Sequence, residues 1–281
     1  MSKMSIAFQG ELGANSHEAC QAYFPDYTPV PCLTFEEAFE AIKTGACALG
    51  MIPVENSIAG RVADVHHLLP QSGLRIIGER FKPIHFNLMV NRGVTLETVK
   101  TAVSMPIALY QCRESLKALG LRHEAAGDTA GAAKALAAHP DPTRAAVSPA
   151  LAAQIYGLDI LARDIEDTHN NTTRFLVMTA DRDAPAPADG VDAITSFVFR
   201  VRNIPAALYK AMGGFATNGI NMIKLESYME NGSFAATMFY VEVEGRPQDP
   251  PLARALEELT FFADHVEVLG SYAADPFRKT L

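Results

Sequence analysis

The stretch ADRDAPAPADGVDA at 180–193 most constrains what this 281-residue chain can fold into. Its Pro, Ala, Asp and Gly follow neither a helical nor a strand period, which is the composition of a linker. One sheet cannot run through it, so the chain is predicted to divide into about 180 residues and about 90 residues. Length alone agrees, since domains run to roughly 100–200 residues. With 48% hydrophobic residues, the chain can bury a sizeable core and is not a disordered tail.

The longer region alternates short apolar runs with helical patterns. SIAFQG reads as a strand ending in a glycine turn, and Asn15 with Glu18 has the spacing of a capping box. FEEAFEAIKTG is an amphipathic helix closing on Gly45, and ALGMIPVENS is a strand running into polar residues. RIIGERFKPIHFNLMVNRG holds two strands, and TRFLVMTA is the last. Strands alternating with helices predict a mostly parallel α/β sheet, with ligands beyond the carboxyl ends of the strands. The shorter region has another rhythm. TSFVFRV alternates, placing Phe197, Phe199 and Val201 on one face. A helix over 205–219, strands over 220–228 and 234–245 joined across MENGS, a helix over 251–265 and a strand over 266–272 follow. The order β-α-β-β-α-β is the ferredoxin-like split βαβ.

Lys and Arg number 24 against 32 Asp and Glu, a net charge of −8. Nucleic acid and anionic membrane surfaces demand a basic face, so neither is an expected partner. A small anion needs only local positive potential in a cleft. Cys20, Cys32, Cys47 and Cys112 form no C-x-x-C pair and read as buried thiols of a reducing cytoplasm. The histidines show no ligand spacing, so no metal is expected. There is no G-x-G-x-x-G and no G-K-[ST], so no nucleotide cofactor is expected either. The opening MSKMSIAFQGELG meets a Glu before an export signal's apolar stretch could form, and no run of 18 apolar residues occurs. The expected location is cytoplasmic.

Three polar clusters interrupt strand ends. In GELGANSH (10–17), two glycines at a strand-to-helix turn expose backbone N–H groups beside a helix N-terminus, which suits a carboxylate. A plain turn would look the same. In PVENS (53–57), Glu55 beside Asn56 at a strand end can bind or protonate a substrate oxygen, or the segment is a capped βα turn. In NNTTRF (170–175), Arg174 is a candidate bidentate carboxylate clamp and Thr173 a hydroxyl donor; the alternative is an inter-strand salt bridge.

Together these motifs resemble the prephenate dehydratase family over nearly the whole chain. Gly10–Ser16 looks like the family's glycine loop, and PVENS is present outright. SMPIALYQC (104–112) keeps Ser104, Pro106, Gln111 and Cys112, and the N-x-T-R-F signature is Asn171, Thr173, Arg174 and Phe175. PAALYKAMGGFATNGINMIKLES is similar to the ACT regulatory domain that follows the catalytic domain in that family. Departures are Glu11, Ala14 and Asn15 in the first motif, Met105 and Ile107 in the third, and Tyr228–Met229 where an Arg-Pro pair is usual.

The resemblance implies an α/β catalytic domain of two lobes, like type II periplasmic binding proteins, over 1–180. The lobes would take about 1–80 with 160–180, and about 81–159. A linker at 181–193 and a βαββαβ ACT domain at 194–273 would follow. The implied reaction turns prephenate into phenylpyruvate, CO2 and water. Thr173 acts at the leaving hydroxyl, with Glu55 as proton source. Asn56, Ser104 and Gln111 orient the ring substituents. Arg174 holds a carboxylate, helped by Phe175, Asn171, Ser57 and the loop at Gly13, Ala14 and Ser16. An amino-acid effector, phenylalanine in the family, would sit near Ala206, Ala207, Leu208, Asn218, Leu225, Glu226 and Ser227. ACT pairing implies a homodimer or homotetramer. The rivals are an arogenate dehydratase and a non-catalytic two-lobed binding protein. A fused chorismate mutase is not expected.

Overall fold

The computed structural model describes residues 4–168, 170–229 and 236–280. The chain begins β1 (Ser5–Gln9), α1 (Asn15–Tyr23), β2 (Thr28–Cys32), α2 (Phe35–Lys43), β3 (Leu49–Asn56), β4 (Gly60–Arg61), α3 (Ala63–Leu68) and β5 (Arg75–Pro83). It continues with β6 (Asn87–Val90), β7 (Thr101–Ser104), α4 (Pro106–Gln111), α5 (Arg113–Ala118), β8 (Arg122–Ala125) and α6 (Thr129–Ala138). Then come β9 (Arg144–Ser148), α7 (Ala150–Tyr156), β10 (Asp159–Ala162) and β11 (Thr172–Thr179). Past an irregular stretch lie β12 (Ala193–Val201), α8 (Ala207–Thr217), β13 (Met222–Met229), β14 (Ala236–Glu244), α9 (Pro250–Thr260) and β15 (Ala263–Ala273).

The first sheet has the order β2-β1-β3-β11-β5, with β4 folded back on β3. The second has the order β10-β6-β9-β7-β8. Neighbours β1–β2, β1–β3, β7–β8 and β7–β9 are parallel, whereas β6–β9 and β6–β10 are antiparallel. The sheets are therefore mixed rather than mostly parallel. The chain leaves the first sheet after β5 and returns to it with β11.

Local sequence explains the elements. In α2, Thr34 accepts the Glu37 N–H as N-cap, Glu36 and Glu37 oppose the helix dipole, and Ala38, Phe39 and Ile42 form the buried stripe. Asp128 caps α6 in the same way, and Gly157 ends α7 in the left-handed region. The expected capping box on α1 does not form. Ala14 is the N-cap, and Glu18 instead pairs with Lys82 at 2.7 Å. The run VKTAVSMPIALYQCRESLKALG (99–120) reads as a short strand and then one helix, but the helix breaks at Cys112 into α4 and α5.

The chain falls into two compact units whose boundaries depart from the linear cut. One comprises the chain up to Val65 with Phe81–Phe175, and the other His66–Arg80 with the chain from Leu176 onward. Segment 66–80 joins the second unit through contacts no local pattern announces. The Arg278 guanidinium holds the fully buried Glu79 carboxylate at 2.6 and 2.8 Å, and a side chain at Gly270 would overlap the Ile76 carbonyl. Within this unit the third sheet, β13-β14-β12-β15, is antiparallel throughout. Phe197, Phe199 and Val201 share its core with Phe215, Leu252 and Leu259. This is the βαββαβ ferredoxin-like arrangement. The β13–β14 turn in MENGS lies largely outside the described residues. Helix α9 stops at Thr260, earlier than its pattern predicts, because β15 begins at Ala263 and pairs with Val201.

Candidate active site

Within the first unit, a cleft of about 520 Å³ opens between the first and second sheets. One wall comes from the end of β1, the first turn of α1 and the β3–β4 turn; the other comes from Phe86, Met105, Ile107 and the start of α6. Helices α1 and α6 both present their first residues to it, so two sets of orphan N–H groups and two positive dipole ends face the space.

At its floor, three amides close a ring. Asn56 Nδ2 donates to Asn171 Oδ1 at 2.8 Å, Asn171 Nδ2 to Gln111 Oε1 at 3.2 Å, and Gln111 Nε2 to Asn56 Oδ1 at 3.2 Å. The Ile58 and Ala59 N–H groups also donate to Asn56 Oδ1, which fixes the orientation of that amide. Asn56 Nδ2 is left to donate to Thr173 Oγ1 at 3.0 Å as well. The Thr173 oxygen is thus an acceptor on its Asn56 side, and its own proton is available to donate into the cleft that Thr173 lines. Ser57 holds the arrangement from outside. Its Oγ donates to Asn170 O and its N–H to Thr172 O, latching the end of β3 to the start of β11.

Strand alternation divides the N-x-T-R-F signature. Thr173 and Phe175 line the cleft, and Arg174 between them does not. Arg174 is 2% exposed, donates to Glu55 Oε1 at 2.8 Å and lies 5.9 Å from the Phe81 ring centroid. Glu55 likewise alternates away from Asn56. The structure therefore joins Arg174 and Glu55 to each other instead of placing a clamp and a proton source in the cleft. Ser104 is also absent from the lining: it is fully buried and donates to Val147 O at 2.7 Å.

In the glycine loop, Ala14, Asn15 and Ser16 line the cleft, but Gly13 does not. Its N–H is taken by His17 Nδ1 at 2.9 Å, and a Cβ there would stand 2.7 Å from Ala152 Cα. Gly13 serves the packing of α7 against the loop. The sequence reading passed over Arg61 and the Asn15 amide. Asn15 Oδ1 is buried without a hydrogen-bond partner among the described residues, although Asn15 borders the cleft. An unsatisfied buried oxygen is the signal, and only coordinates reveal it.

No cysteine or histidine appears among the described residues lining the cleft. Burial pushes the Cys20 thiol up to about 12 and Cys32 up to about 11, and raises Cys112 too, so these sulfurs stay protonated. His85, Asp164 and Glu166 cluster outside the cleft lining. Glu166 is satisfied there, accepting the Phe86 N–H at 2.9 Å and pairing with His85 at 2.7 Å.

In the second unit, Ala206, Ala207 and Leu208 line a hollow of about 250 Å³ with Val201 and Phe239. Ala206 sits at φ 62°, a left-handed conformation that costs a non-glycine residue roughly 1 kcal/mol or more. Asn218 lies at the other end of α8, bonded to Gly214 O, Glu258 and Arg254. Leu225, Glu226 and Ser227 lie on β13 and do not line that hollow, although Ser227 pairs in register with Phe239, which does. Tyr228, beside them, donates to or accepts from His66 Nδ1 at 2.9 Å.

The prephenate dehydratase family pattern matches residues 6–183. A bifunctional N-acyl-homoserine lactone acylase/prephenate dehydratase of Komagataeibacter europaeus is 47% identical over 274 residues, covering 98% of this chain and 97% of that protein. Arogenate dehydratase/prephenate dehydratase 2 of Arabidopsis thaliana, a chloroplastic protein, is 38% identical over 283 residues, covering 98% of this chain and 74% of that one. Among solved structures, the prephenate dehydratase of Arthrobacter aurescens in complex with L-Phe superposes with a TM-score of 0.88 at 29% identity, covering 96% of this chain and 90% of that one. With the amide ring and its threonine in one cleft, these likenesses show that the chain belongs to the prephenate dehydratase family.

Proposed function

We propose that this protein is a hydro-lyase converting prephenate to phenylpyruvate, CO2 and water in the cleft of its first unit, as a step toward phenylalanine. The observation that carries the reading is the Asn56-to-Thr173 hydrogen bond in a cleft built by the family's motifs. As the ring carboxylate departs as CO2, its bonding electrons enter the ring and expel the 4-hydroxyl. Hydroxide is a poor leaving group, and a strong hydrogen bond to it lowers the barrier. Thr173 supplies that bond, polarised by Asn56; one proton from water completes the leaving water molecule. A threonine hydroxyl is too weak an acid to give up its proton outright, so Thr173 acts as donor, not as proton reservoir. The carboxylate loses its charge on leaving, so poor solvation by Ile84, Phe86, Met105 and Phe175 favours the reaction.

The two sheets form lobes like those of type II periplasmic binding proteins, closing on substrate to exclude water. The βαββαβ unit is an ACT domain, and its effector is phenylalanine, held near Ala206–Leu208. ACT pairing makes the protein a cytoplasmic homodimer or homotetramer. Arogenate differs only in bearing an amine where prephenate has a keto group, so the ring chemistry applies to it equally, and several relatives at 34–38% identity are arogenate dehydratases. Purified protein is expected to release phenylpyruvate from prephenate, with phenylalanine slowing it. Absence of turnover overturns the catalytic reading, and calorimetry showing no heat with phenylalanine overturns the effector.

A further inference from the structure

Prephenate and arogenate share the ring, its carboxylate and the 4-hydroxyl, and differ in the retained side chain. The prephenate side chain offers only acceptors, a keto oxygen and a carboxylate. The arogenate side chain sets an ammonium, with three N–H donors, beside its carboxylate. A wall that takes the amino form must therefore present an acceptor as well as donors, and the cleft does. The first turn of α1 supplies N–H groups, and Asn15 in that turn keeps a buried Oδ1 with no hydrogen-bond partner among the described residues. The charged side chains among the described residues that line the cleft are Arg61, Asp64 and Asp128. Asp128 accepts the Gly131 N–H at 2.6 Å as the α6 cap, and Arg61 has an interaction of its own. Asp64, in the first turn of α3 just past β4, is exposed, and no hydrogen bond or ion pair engages it among the described residues. An uncommitted carboxylate repels a dianion and attracts an ammonium.

The other donor on either substrate is the 4-hydroxyl, which stands across the ring from the side chain and belongs to Thr173. On the dehydratase reading, we propose that Asp64 receives the ammonium of arogenate, so that the cleft dehydrates this amino-acid substrate as well as prephenate and yields phenylalanine directly. The bonds that change are those written for prephenate. The bond to the ring carboxylate breaks to release CO2, its electrons aromatise the ring and expel the 4-hydroxyl, and one proton from water completes the leaving water molecule. The ammonium keeps its charge throughout, so Asp64 acts on KM more than on kcat.

Initial rates with each substrate, for the parent, Asp64→Asn and Asp64→Glu, test this. The parent is expected to turn over both. Asp64→Asn raises the arogenate KM about 10-fold, the low end for a charge-assisted hydrogen bond because Asp64 is solvated, and lowers the prephenate KM by removing a like charge. Asp64→Glu restores part of the arogenate KM. Rising ionic strength raises the arogenate KM of the parent more than that of Asp64→Asn. An arogenate KM in Asp64→Asn within twofold of the parent overturns the proposal, as does an equal rise for both substrates, which would make Asp64 structural. A parent that turns over prephenate and not arogenate also overturns it, and leaves the dehydratase reading standing. A parent that turns over neither removes that reading, and this proposal with it.

Discussion

Thr173 shows how much a single hydroxyl can be told by its neighbours. Its oxygen accepts from Asn56, whose own oxygen is saturated by two backbone N–H groups and Gln111. The direction of the hydrogen bond follows from the fixed amide, and with it the availability of the Thr173 proton. Thr173→Ala is expected to cut kcat about 10²–10⁴-fold with the fold intact, while Thr173→Ser keeps most of the rate; steady-state kinetics on both decide. Equal losses in the two variants would mean that the methyl group, not the hydroxyl, matters. Sequence marked Thr173, Asn56, Gln111 and Asn171 through their motifs. It could not show that Arg174, in the same motif, points to Glu55, because that depends on which face of β11 meets the cleft.

At the scale of elements, the first turn of α1 carries a histidine whose charged form burial disfavours. Gly13 N–H donates to His17 Nδ1, so the neutral ring carries its proton on Nε2, which lies 3.2 Å from Gln21 Nε2. The ring stacks on Phe8 with centroids 5.3 Å apart. Burial holds the His17 pKa below its ordinary value of 6.5, against the opposing pull of Glu18. The folded state then binds fewer protons than the unfolded one, so His17's contribution to stability is present above pH 6.5 and is lost as pH falls below it. Urea unfolding at pH 7.5 and 5.5 is expected to show a smaller loss on acidification for His17→Gln than for the parent; equal losses would contradict it. The glycine turn and helix were legible in the sequence, as was α2 with its close at Gly45, but not its Thr34 cap. The cap on α1 was not, because Glu18 is drawn away by Lys82, a residue 64 positions along the chain.

Across the whole molecule, compact units and linear segments do not coincide. The linker over 181–192 is irregular as its composition dictates, and β12 starts at Ala193. Yet α3's end and most of β5 pack with the C-terminal unit, where Arg278 pairs with Glu79 and approaches Glu242 at 3.6 Å. Both carboxylates are almost fully buried. Removing the guanidinium withdraws charge compensation from them, so Arg278→Ala is expected to lower stability by about 3 kcal/mol, read by chemical denaturation. A change under about 0.5 kcal/mol would show the buried pair to be energetically idle.

By itself, the sequence determined the alternation of elements, the irregular linker, the βαββαβ order and the motifs that the cleft gathers. These follow from local periodicity, turn chemistry and composition, which act over a few residues. Only the tertiary structure decided that the sheets are mixed, that residues 66–80 belong with the C-terminal unit, and that, among the described residues, Arg61 lines the cleft whereas Arg174 does not. Those outcomes depend on strand pairing and on which face of a strand is covered, and both are set by residues far apart in the chain.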